Sequence, residues 1–188
     1  MIDLRPLYFG LTGAAHLVRL DIRGLSFMVG GVRGFWSSLY WSAGLVAPLF
    51  LFVMLLRYDP QKYDGWRYLI VHLETYLIAW LIFPLLMERI SGLISRREHY
   101  LKFIIGYNWL NCLYNIFYLL VGLAQASRML SWEAASAISV GVMVAGLVWI
   151  AYLARHALKI PYSAAIGVVV LDLFISIMVS ILSASLLG

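Results

Sequence analysis

Five apolar stretches of about 20 residues, at 34–56, 68–87, 103–123, 134–153 and 164–187, are joined by short connections that hold most of the charge. A helix needs about 20 apolar residues to cross the hydrocarbon core of a bilayer, and in that medium only helices and closed barrels satisfy their own backbone. The pattern predicts an all-α fold, a polytopic membrane helix bundle with about five transmembrane helices. Composition agrees: 12% of the residues are charged, against about 25% in a soluble domain. The spans leave no room for a separate soluble domain, so the chain divides into an N-terminal segment, 1–33, and a five-span domain, 34–188.

Within the N-terminal segment, Leu7, Leu11, Ala14, Ala15, Leu17 and Val18 recur at helical spacing, with Thr12, His16 and Arg19 on the remaining side. This predicts an amphipathic helix over 7–20, lying on the membrane surface or packed over the end of the bundle. Gly30, Gly31 and Gly34 let the chain turn into the first span. Pro6, Arg19, Asp21 and Arg23 interrupt any long apolar core, so a cleavable signal peptide is not expected.

The net charge of +5 does not point to nucleic acid, because the Lys and Arg residues sit in the connections, where anionic lipid headgroups are the natural counter-charge. Arg89, Arg96, Arg97 and Lys102, in the most charged connection, are the candidate lipid contacts. Alternate sides of the bundle carry ten and four Lys and Arg residues. The positive-inside rule then puts the N-terminus in the cytoplasm and the C-terminus outside. The single Cys112 lies in an apolar run and reads as a small buried residue.

Polar groups inside the spans carry the functional information, since a charge at bilayer depth costs about 2.5–3.5 kcal/mol on the translocon-insertion scale. Asn108, Asn111 and Asn115 fall within about 60° of helix arc, and Asp172, Ser176, Ser180 and Ser183 within about 80°. Asp172 and Asn111 both lie about 12 Å from the cytoplasmic ends of their spans, so they meet if the two helices are neighbours. Glu74 enters from the other side, about 9 Å deep, with His72 near that outer mouth. The expectation is a polar seam, acting either as hydrogen-bonded glue between helices or as a proton or cation relay.

No enzyme motif is present: there is no paired-histidine zinc helix, Cys pair, phosphate loop or Gly-x-Ser-x-Gly turn. His16, His72, His99 and His156 fall in four separate segments, so no catalytic residue, metal site or cofactor is expected. Pro48 and Pro84 predict kinks. Gly141 and Ala145 give α-helical small-xxx-small spacing, suited to a neighbour in the bundle or a second copy.

The Gly34-Phe35-Trp36-Ser37-Ser38 stretch after Asp21, and the Tyr107-Asn108-Trp109 triplet, resemble a group of small, uncharacterised bacterial multispan membrane proteins. That resemblance implies the bacterial inner membrane and no established activity. The five-span layout with a cytoplasmic N-terminus also resembles the Yip family of membrane-trafficking proteins, although the Asp-Leu-Tyr-Gly-Pro signature of that family is missing here. Together these lead to a non-enzymatic interaction, accessory or membrane-organising protein, with a homo-oligomer or another membrane protein as partner. A small proton-linked or cation-linked transporter or pore using Asp172 and Glu74 is the alternative.

Overall fold

A computed structural model of the chain describes residues 4–187; residues 1–3 and 188, which fall in the divisions 1–33 and 34–188, lie outside them. The helices are α1 (Arg5–Val18), α2 (Gly24–Phe27), α3 (Gly31–Leu56), α4 (Gly65–Leu93), α5 (Arg97–Ala126), α6 (Trp132–Ala157) and α7 (Tyr162–Leu187), with no strand among the described residues. Helices α3 to α7 are each long and apolar enough to cross a membrane, so the protein is a multi-pass helical bundle. Every span read from the sequence lies inside one of these helices, and all five helices begin earlier than the apolar run. Helical hydrogen bonding does not stop where the side chains turn polar: α5 starts through Arg97, Glu98, His99 and Lys102 before its apolar part begins.

The helix ends have specific chemistry. Asp64 Oδ2 accepts from the Arg67 backbone N–H at 2.9 Å and Ser131 Oγ from that of Ala134 at 3.2 Å, satisfying one otherwise free donor at each N-terminus. Four helices end in left-handed residues, and none of these is glycine: Leu20, Ser95, Arg128 and Lys159, at φ 57°, 56°, 58° and 54°. After α5, Arg128 N donates to Gln125 O at 3.0 Å and Met129 N to Ala124 O at 2.9 Å. This double closure caps the last carbonyls.

Gly31 makes the turn into α3 at φ +69°, while Gly34, expected to share that turn, is inside the helix and lets the Val29 carbonyl approach where a Cβ would collide. Helices α1 and α2 form a hairpin in which Gly13 and Gly24 meet backbone to backbone. That hairpin is seated on the bundle. The Trp109 ring lies over Gly10, Trp149 Nε1 donates to Val18 O at 3.1 Å, and Ala14 and Leu17 share one core with Phe103, Ile104, Leu153 and Leu158.

Helix α5 is central, packed by α1, α3, α4 and α6, and its residues 103–110 are all buried. Helix α7 packs against α4 and α6 and stands back from α5, which opens the space described below. Pro48 and Pro84 lie inside α3 and α4. The Tyr76 hydroxyl, from α4, donates to Ala43 O at 2.5 Å just over one turn before Pro48, and Tyr100 OH donates to Pro84 O at 3.0 Å. Gly141 is exposed with nothing near it, so that face of α6 turns away from the bundle; Gly146, five residues on and on another face, instead receives the Tyr114 ring.

Candidate functional site

Where α7 stands back from α5, long side chains bridge the gap around a cavity of about 470 Å³. On α5, Tyr107, Asn111, Tyr114 and Tyr118 line it; at 100° per residue they share about 60° of arc. Helix α7 contributes Asp172, Ser176 and Ser180, and α4 contributes His72, Thr75, Tyr76 and Trp80. A second, shallower cleft of about 640 Å³ shares His72, Thr75, Ser176 and Ser180 and continues past Ser183 to Lys62 and Tyr63 in the α3–α4 connection. The inner cavity and the cleft therefore adjoin along these residues, toward that end of the bundle.

The Tyr107 hydroxyl donates to Asp172 Oδ1 at 2.6 Å, the short distance expected of a bond to an acid group. Asp172 Oδ2 makes no hydrogen bond among the described residues, and no Lys or Arg pairs with the carboxyl. Asn115 Nδ2 donates to Asn111 O and Oδ1 at 2.8 and 2.9 Å, and Ser176 Oγ donates to Asp172 O at 3.0 Å. The His72 ring packs edge-on against Tyr68, centroids 4.4 Å apart.

The seam expected from the sequence is thus divided. Asn111, Asn115, Asp172, Ser176 and His72 meet at the cavity, but no hydrogen bond joins Asp172 to Asn111, because their helices are spaced apart and Tyr107 takes the carboxylate instead. Asn108 is fully buried on the other flank of α5, where its Nδ2 donates to Ser38 Oγ of α3 at 2.9 Å. Glu74 is exposed, lines neither space and has no partner among the described residues. The reason is angular: Glu74 follows His72 by two residues, about 200° around the helix, so only one of the two can face inward.

At the other end, Arg97 Nη2 meets Glu88 Oε1 at 2.6 Å and Arg89 Nε approaches Glu88 Oε2 at 3.7 Å, while Arg96 and Lys102 make no ion pair among the described residues. No group of three or more His, Cys, Asp or Glu residues is placed to hold a metal ion among the described residues. Cys112 is fully buried beside Leu39, Val46 and Trp80.

The tyrosine stripe on α5 is the feature that sequence reading missed. Its signal was the spacing 107, 111, 114, 118, hidden because tyrosines in a membrane helix read as interfacial anchors. Fold and site define a polytopic membrane protein with an acid-bearing cavity. No protein-family model matches the chain, and the searches of curated proteins and of solved structures likewise returned no match.

Proposed function

We propose that this protein is a small proton-linked or cation-linked membrane carrier, with the cavity at Asp172 as its exchange site. One observation carries the reading: a carboxyl midway along a membrane-spanning helix lines a cavity and has no cationic partner among the described residues. Glue between helices accounts for Oδ1, bonded to Tyr107, and leaves Oδ2 unexplained. A proton or a cation taken up at Oδ2 completes it, and polar residues inside a membrane mark such pathways. The accessory or membrane-organising reading calls for no cavity.

With the N-terminus in the cytoplasm of a bacterial inner membrane, the cleft at Lys62 opens to the outside and the Arg89–Lys102 connection meets the anionic inner leaflet. Arg96 and Lys102 are then the freest lipid contacts. Glu74 and the open face at Gly141 are where a second copy or another membrane protein packs.

A carrier exposes its site to each side in turn, and that separates it from a one-sided binding protein. In a Cys112→Ala background, Ser176→Cys should react with a membrane-impermeant thiol reagent supplied from either side of a sealed vesicle. Labelling from one side alone, under every ion condition tried, overturns the carrier reading.

A further inference from the structure

We propose that the cavity takes an organic ammonium ion, held by Asp172 and walled by aromatic rings; the assignment rests on the carrier reading and names its cargo. Charge comes first. Asp172 is the one acidic or basic side chain, histidine aside, among the described residues lining the inner cavity. Its free Oδ2 therefore selects against anions and favours a cation.

The hydrogen-bonding groups point the same way. The hydroxyls of Thr75, Tyr76, Tyr107 and Ser176 donate to Val71 O, Ala43 O, Asp172 Oδ1 and Asp172 O, and the Asn115 amide donates to Asn111. With these donors engaged, the free groups are the acceptors Asp172 Oδ2, Asn115 Oδ1 and the hydroxyl lone pairs, beside the Asn111 Nδ2 donor, which makes no bond among the described residues. The Tyr114, Tyr118 and Ser180 hydroxyls make no bond among the described residues and can accept as well as donate. The free carboxylate oxygen, set among these acceptors, suits a ligand that brings N–H or polarised C–H donors.

The walls separate an organic cation from an inorganic one. Tyr76, Trp80, Tyr107, Tyr114, Tyr118 and Trp149 all line the space, and ring faces attract alkylammonium groups by cation–π contact. An alkali ion needs a close shell of oxygens, whereas 470 Å³ lies within the size of small-molecule pockets. Among the described residues Lys62 is the only Lys or Arg on the outer cleft, and it is exposed, where salt screens its repulsion of an arriving cation.

The test uses the full chain in nanodiscs of uncharged lipid, titrated with tetramethylammonium and with butylammonium chloride. Potassium chloride at equal ionic strength and butan-1-ol are the comparators, and calorimetry is the readout. The expected result is saturable binding of at least one ammonium ion, weaker by about tenfold or more in Asp172→Asn. Tyr114→Leu should weaken it about threefold to tenfold and Tyr114→Phe should retain it, because the ring face and not the hydroxyl is the contact. Binding no stronger than that of potassium or butan-1-ol, or unchanged in Asp172→Asn, overturns the proposal. If Asp172→Asn does not fold, the wild-type comparison with butan-1-ol and the Tyr114 pair still decide it. Asp172-dependent flux of protons or inorganic cations without ammonium binding removes the cargo and spares the carrier. Ammonium binding without any flux supports the site and removes the carrier.

Discussion

Asp172 and Glu74 are both acids in membrane-spanning helices, and their surroundings separate their roles. Asp172 faces a cavity with one oxygen held by Tyr107, whereas Glu74 faces outward beside the exposed Ile70, Leu73, Leu77 and Ile78. Outside the spans, Asp21 is a different kind of acid. It accepts from Arg23 Nε at 2.9 Å and meets His16 Nδ1 at 3.0 Å, and these contacts, Arg23 foremost, hold its carboxyl well below the ordinary value of 3.8. A carboxyl depressed on folding adds stability above its unfolded pKa, and that contribution disappears as pH falls through the folded one. Thermal unfolding of wild type and Asp21→Asn should therefore differ near neutrality and converge as pH drops below 3.8. A gap that widens on acidification would contradict the pairing. Solvent screening keeps the contribution of this exposed pair small.

At the scale of elements, the left-handed ends of α1, α4, α5 and α6 hold side chains where glycine is the easier residue. A non-glycine left-handed residue costs roughly 1–2 kcal/mol, offset in part by the greater unfolded freedom of glycine. Arg128→Gly, at an exposed position closing α5, should raise stability in detergent by about 0.5–1 kcal/mol; a lower melting temperature would show that the Arg128 side chain contributes something more. Such ends could not be read from the sequence, because the usual glycine marker is absent from them. The five spans could, since apolarity over 20 residues has few other uses. The α1–α2 hairpin was half legible: the periodicity of Leu7 to Val18 gave α1, but the four-residue α2 and the Gly13–Gly24 approach depend on tertiary contact. His72 and Glu74 share a depth but not a face of α4, so depth alone does not tell which of them enters the cavity. The same arc rule, applied to the tyrosines of α5, would have found the wall of the cavity.

For the whole molecule, the decisive feature is spacing between helices, which no single helix encodes. Helix α5 is enclosed by four neighbours, and α7 is held away from it by its packing on α4 and α6. The outcome is a bundle tight at the α1 end and open at the α3–α4 connection. On the carrier reading, Asp172 in that opening exchanges a proton or cation during transport. Flux into proteoliposomes measures that exchange, with a pH-sensitive dye inside for protons and labelled tracer for cations, under imposed proton gradients and gradients of inorganic and organic monovalent cations in turn. Saturable flux is expected for wild type, the same rate for Glu74→Gln, and a rate no higher than protein-free vesicles for folded Asp172→Asn. Equal rates in wild type and Asp172→Asn, or no flux by wild type with any cation, would rule out exchange at Asp172.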